Sequence, residues 1–241
     1  MMADDETNAA MPWKRLGAAF GTSLAAGLAG WWVLGMSLSL PLWALAVVAL
    51  LVPAFVVTTP RRADRPWVAM SVNDGVGFAL LLAMYDAEIG LLTWLRAYLV
   101  LLGFSLLLLA GVSLLRGRLG AAIVSTLAMA WLAWPILLAG VRAEQAERLA
   151  AILVPIHPPM ALNGLLRDLG AWTHQPASYR LMSLGQDVPY ALPTSAWPCV
   201  FAHLSAAALL MGVAWVLQRR RPAATPAAAS DEPDASFTPR P

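Results

Sequence analysis

The strongest constraint on this chain is a series of apolar runs, each long enough to cross a bilayer. A transmembrane helix needs about 20 predominantly apolar residues. Residues 16–38, 40–58, 94–115, 119–141 and 196–217 all meet that requirement. The first two are too long together for one crossing, and the segment "SLSLP" between them supplies a tight turn. Composition agrees with the runs. Charged residues make up 12% of the chain, against about 25% in a soluble domain. The expected fold is therefore all-α, a polytopic helix bundle whose first partner is the lipid bilayer. The formal charge of +2 is small and its arginines fall in short clusters between apolar runs, a pattern of topology signals and not of a nucleic-acid-binding face. The single cysteine, Cys199, excludes an internal disulfide. The acidic start (Asp4, Asp5, Glu6) and the length of the first apolar run predict an uncleaved first span and no signal peptide.

One further stretch, 67–84, is apolar except for Asn73 and Asp74. It is either a sixth span or a surface helix, and the distribution of basic residues decides. With six crossings, one side collects Lys14, Arg15, Arg61, Arg62, Arg65, Arg116, Arg118, Arg219, Arg220, Arg221 and Arg240, most of the 16 basic residues in the chain. With five, "RGR" at 116–118 and "RRR" at 219–221 fall on the opposite side, against the excess of basic residues on cytoplasmic loops. Six spans follow, with N-terminus and C-terminus both cytoplasmic. Residues 1–12 and 218–241 are expected to be disordered tails.

A span at 67–84 places Asp74 about 10 Å deep at about 1.5 Å per residue. An isolated charge there costs at least about 2.5 kcal/mol, so the carboxyl must be protonated, paired or turned to a wet cavity. Asn73, Asp74, Gly77 and Leu81 share a helix face. The pair is either an inter-helix hydrogen-bonding group or a carboxylate in a substrate or proton path. His203 in the last span reads as an inter-helix hydrogen bond. Within the first span, Gly17 and Gly21, Ser23 and Gly27, and Ala26 and Gly30 repeat at four-residue spacing, which lets helix backbones approach closely in lipid. Pro53 and Pro135 are expected to kink their spans. Trp13, Trp67, Trp94, Tyr98 and Trp197 lie near span ends as interfacial anchors do; Trp31, Trp32, Trp131 and Trp134 read as packing residues.

Residues 142–195 form the one long loop between spans, on the outer side. Residues 142–154 predict an amphipathic helix with Leu149, Ile152 and Leu153 on its apolar side. Breaks are expected at Pro155 and at Pro158–Pro159, and "MALNGLLRDLGAW" predicts a second short helix. The segment is too apolar for a free linker and is expected to lie on the membrane surface or dip into the outer leaflet. His157, Trp172, His174, Tyr179, Asp187 and Tyr190 are its candidate partner-binding or gate residues. Their spacing matches no metal-site pattern, so no metal or other cofactor is expected. No nucleophile elbow, phosphate loop or haem-attachment motif occurs, and no enzymatic activity is expected.

Six spans, both ends inside, and a single long outer loop before the last span resemble the membrane subunit of type-II ABC exporters. The segment "LAAILVPIHPPMALNGLLRDLGAW" looks like the pair of short helices that dips into the outer leaflet in that family. "TTPRRADRPW" stands where the family's inner loop meets its ATPase. The resemblance is one of layout and covers roughly residues 13–220. It implies a permease subunit in a bacterial inner membrane, partnered by a separate ATPase, with Arg61, Arg62 and Arg65 on the inner-loop contact and a homo- or hetero-oligomeric state. The alternative is a non-catalytic membrane scaffold or assembly protein whose outer loop binds an envelope partner. A membrane-bound enzyme would need polar groups gathered at one depth. Asp74 toward the inner side and His157 and His174 outside do not supply that.

Overall fold

A computed structural model describes residues 12–35, 39–137, 143–166 and 192–219. Every element among them is helical. In chain order they are α1 (Pro12–Leu34), α2 (Ser39–Thr58), a 3-10 turn (Arg62–Asp64), α3 (Arg65–Asp86), α4 (Leu91–Leu115), α5 (Gly117–Leu137), α6 (Ala143–Leu153), a second 3-10 turn (Val154–Ile156), α7 (Pro158–Leu166) and α8 (Trp197–Arg219). Six helices, α1 to α5 and α8, are long and apolar enough to cross a membrane. The first begins and ends about four residues earlier than its apolar run suggests, because Pro12 fits the first turn of a helix and Gly35, at φ +58, closes it.

The doubtful stretch turns out to be the heart of the bundle. Along α3, 61% of the spanning window is buried, the largest share of the six, against 22% for α1 and for α8. Its buried residues, Val68, Val72, Asn73, Gly75, Val76, Gly77, Ala79, Leu80 and Met84 among them, cover about half of the helix surface, with Trp67, Phe78 and Leu82 exposed on the other side. A helix enclosed in this way can carry polar side chains because neighbouring helices, and not lipid, receive them.

Small residues set how closely the helices approach. Helix α1 packs mainly along α3, and α8 along α4. Ser23 and Gly27 of α1 meet Gly75 and Ala79 of α3. A Cβ on Gly27 would stand 2.6 Å from the Ala79 Cβ, and one on Gly75 would stand 2.5 Å from the Phe20 carbonyl oxygen. Both helices thus present small residues four apart along one seam. Gly30 is covered by the indole of Trp43, whose Nε1 donates to the Ala26 carbonyl at 2.9 Å. Gly17 and Gly21 do not share this role: they are exposed, and a Cβ added at either would meet nothing within 4 Å. The expected packing spacing is therefore used at its second and third pairs only.

Two hydrogen bonds fix which helix ends lie together. Arg15 Nη1 donates to the Thr58 carbonyl at 3.2 Å, and Arg62 Nη1 donates to Gln218 Oε1 at 2.8 Å. The start of α1, the α2–α3 turn and the end of α8 therefore share one end of the bundle, as an even number of crossings requires. Trp13, Trp67 and Trp197 are exposed near helix ends, as anchors are. Trp32 is not a packing residue: it is 88% exposed, because the buried face of α1 is taken by Ser23, Gly27 and Gly30. Pro53 lies within α2.

Before the last span, α6 and α7 form a bent pair. Residues Glu144–Ile156 and Pro158–Leu166 meet at 71°. The break expected at Pro155 is found, since the chain turns at Val154–His157; the second, expected at Pro158–Pro159, is not, and the two prolines open α7. Proline is suited to a first helical turn, where its missing N–H is not needed. The apolar side of α6 is also reassigned. Ala146, Ala150 and Val154 are buried against Trp134, with Leu153 partly buried beside them, whereas Leu149 and Ile152 are exposed. Small residues face the bundle, and the exposed side carries Glu144, Glu147 and Arg148 beside Leu149 and Ile152.

Candidate functional site

Polar groups inside the bundle gather in two places. The first is the seam between α3 and α4. Asn73 is fully buried, and the Ser105 hydroxyl donates to its Oδ1 at 3.0 Å. The Tyr98 hydroxyl donates to Asp74 Oδ1 at 2.5 Å. One turn further along, Trp94 Nε1 donates to the Gly77 carbonyl at 2.9 Å, and the Trp94 and Tyr98 rings lie 5.4 Å apart. Gly77 is required for this arrangement, since a Cβ there would press on the Tyr98 ring at 2.7 Å. Asn73 and Asp74 thus both take part in inter-helix hydrogen bonds. Because α3 begins at Arg65, Asp74 sits nine residues in, about 14 Å along the axis, near the middle of the span. Trp94 and Tyr98 serve here as inter-helix donors.

The second cluster surrounds His157, at the elbow between α6 and α7. Its side chain is 0% exposed. The ring is bracketed by Trp131 and Trp134, each edge-on with centroids 5.3 Å away. Nε2 faces the Trp131 carbonyl at 3.0 Å. A carbonyl only accepts, so Nε2 carries the proton and Nδ1 is an acceptor. Among the described residues, neither His157 Nδ1 nor Trp134 Nε1 has a hydrogen-bond partner. One is an acceptor and the other a donor. His203 closes the cluster from α8, against Trp131 at 6.5 Å and Phe104 at 5.9 Å. Its Nδ1 donates to the Cys199 carbonyl of its own helix at 2.8 Å, so the expected inter-helix bond is replaced by an intrahelical one and ring contacts. A segment at 192–196 holds α7 in place: a side chain at Gly164 would collide with the Pro193 carbonyl.

The remaining sequence candidates separate. Trp172, His174, Tyr179, Asp187 and Tyr190 lie outside the described residues. Of the inner-loop arginines, Arg61 is exposed, Arg62 is bonded to Gln218, and Arg65 Nε donates to the Thr59 carbonyl at 3.3 Å. Asp74 and His157 are not brought together: one lies on the α3–α4 seam, the other at the α6–α7 elbow. Sequence reasoning missed Ser105, Trp131 and Trp134 as site residues. A serine or tryptophan in a continuous apolar run has no local signal that marks which neighbour it meets.

The fold and these sites define a multi-pass helical membrane protein with a bent helix pair seated on one end. Compared with protein-family models, curated proteins and solved structures, the chain matches none.

Proposed function

We propose that this chain is the membrane subunit of an ATP-driven exporter, working as an oligomer with a separate ATPase in a bacterial inner membrane. The observation that carries the reading is the bent pair α6–α7. It lies between the fifth and sixth spans, turns through 71°, and buries its elbow histidine between two tryptophans of the fifth span. That is the layout expected of an exporter whose outer exit is closed by short helices. In this reading the end carrying Arg15, Arg62, Arg65 and Arg219 is cytoplasmic, and exposed Arg61 is available to the ATPase. The substrate passes between bundles and not through one. The α3–α4 seam is bridged by the Tyr98–Asp74 and Ser105–Asn73 hydrogen bonds, and two cavities of about 220 Å³ each lie near opposite ends.

Purifying the tagged protein from its native cells in mild detergent, and identifying the co-purifying chains, tests this. A stoichiometric ATP-binding-cassette ATPase is the expected result. A reproducible envelope partner without any ATPase would overturn it in favour of the scaffold reading.

A further inference from the structure

Asp74 is the one acidic side chain among the described residues that lies in the interior of a spanning helix. It belongs to the most enclosed span, yet it is itself partly exposed. Tyr98 is its one hydrogen-bonding partner among the described residues and meets a single carboxyl oxygen. Neighbouring Asn73 differs: it is fully buried, with the Ser105 hydroxyl against it. Successive residues stand about 100° apart around a helix, and that step carries Asp74 to the side of α3 that the bundle leaves open.

The open side has a regular spacing. Trp67, Ser71, Asp74, Phe78, Leu81 and Tyr85 follow one another at alternating intervals of four and three residues. None of the six is buried, and Trp67, Phe78 and Tyr85 are 61%, 45% and 81% exposed. An interval averaging about 3.5 residues is that of a seam along which two helices pack. At about 1.5 Å per residue the stripe is about 27 Å long, close to the thickness of the hydrocarbon. Its ends, Trp67 and Tyr85, would suit the two lipid interfaces. Its middle would not suit lipid. Acidic side chains within a bilayer almost always face protein or water, because hydrocarbon offers a carboxyl no partner.

We propose that this stripe is covered by the same stripe of a second copy, making the protein a two-fold dimer packed along α3. In a closed dimer with its axis along the membrane normal, every residue lies at the depth of its own counterpart. Asp74 then faces the partner's Asp74, and Ser71 and Phe78 face their own counterparts. A carboxyl group can answer itself, since it donates when protonated and accepts when ionised. Two of them at one contact share a proton, and each is steadied by Tyr98 on its own side. A different membrane protein would have to bring its own cation or hydrogen-bonding group to this depth; the second copy brings one by symmetry. Single polar residues in apolar seams set register and partner number in the same way. The interface does not rest on the exporter reading, because a scaffold would pair by the same face.

The test is disulfide cross-linking of the full chain in its native membranes, in a Cys199→Ser background with one cysteine introduced at a time. A disulfide forms only when two Cβ atoms come within about 4.5 Å. Ser71→Cys and Phe78→Cys change stripe positions outside the core, and on oxidation most of each is expected to run at twice the monomer mass. Leu127→Cys on α5 and Leu209→Cys on α8, 62% and 72% exposed near the middle of their spans, should stay monomeric. Cross-linking at all four alike would mean random collision and would overturn the interface, as would monomer at both stripe positions. Conjugation of the stripe cysteines to a chain of another size, without the doubled mass, would overturn the second copy as the occupant. Energy transfer between donor-labelled and acceptor-labelled copies in liposomes reads the part played by the carboxyl. Asp74→Asn, whose amide also pairs with itself, should keep the dimer. Asp74→Leu should weaken it roughly 3- to 18-fold, the equivalent of one inter-helix hydrogen bond in a membrane. Unchanged association in Asp74→Leu would overturn the carboxyl pair, and the cross-links decide the interface even if that variant does not fold.

Discussion

Replacing Gly75 with alanine tests the central seam with a single methyl group. The new Cβ would stand 2.5 Å from the Phe20 carbonyl oxygen and 2.9 Å from the Leu24 amide nitrogen, and against the Ser23 hydroxyl. Two of these neighbours are backbone atoms of α1 and cannot rotate away. Restoring ordinary contact at 3.4 Å requires α1 and α3 to separate by about 0.9 Å. Because Gly27 already touches Ala79 on the same seam, the opening would also cost contact there. Overpacking of this kind costs about 1–3 kcal/mol. For a protein of this size it should lower Tm by roughly 2–12 °C. Gly21→Ala is the matched control, since nothing lies within 4 Å of its added methyl and alanine favours helix over glycine by about 0.8–1 kcal/mol. Thermal unfolding of both variants in one detergent, followed by circular dichroism, reads the difference. If Gly75→Ala unfolds at the wild-type temperature, or if Gly21→Ala falls as far, the seam is not where the structure puts it.

Three further outcomes are expected. In a Cys199→Ser background, a cysteine at exposed Asp86 and another at exposed Arg118 should react with an impermeant thiol reagent from opposite faces of the membrane, Asp86 from outside intact cells; labelling of both from the same face would break the six-span topology. Asp74→Asn and Tyr98→Phe should each lower stability, and the double variant should lose less than their sum, with a coupling of about 0.6–1.7 kcal/mol as for inter-helix hydrogen bonds in other membrane proteins; additive losses would mean that the two groups do not meet. His157→Ala empties a fully enclosed site between Trp131 and Trp134, so hydrogen exchange across 154–166 should accelerate while α3 stays protected; unchanged exchange at the elbow would show that the histidine does not hold it.

Much of the architecture was legible because membrane insertion is scored locally. A run such as 94–115 is apolar enough by itself to span, and arginine clusters at 61–65, 116–118 and 219–221 punctuate the runs whatever the helices later do. The charge pattern was enough to recover α3 as a span in spite of Asn73 and Asp74. Proline and charge alternation likewise marked a broken amphipathic pair at 142–166 and a break at Pro155, although not that Pro158 and Pro159 open the second helix.

Facing and register were decided only in three dimensions. An apolar span carries almost no directional signal, since a leucine turned to lipid and one turned to a neighbouring helix are in equally apolar surroundings. For that reason Gly17 and Gly21 could not be told from Ser23 and Gly27 before the helices were packed, and α3 gave no sign of being the most enclosed of the six. The partners of Asn73 and Asp74 are 32 and 24 residues away on an antiparallel helix, where pairing depends on the exact alignment of α3 with α4. The Arg62–Gln218 hydrogen bond needs the same information at longer range. Arg62 and Gln218 are separated by 156 residues, and their encounter is set by where α8 returns against α4. Spans and their order follow from local transfer energies along the chain; which side chains meet follows from close packing between helices, and only the assembled bundle determines that.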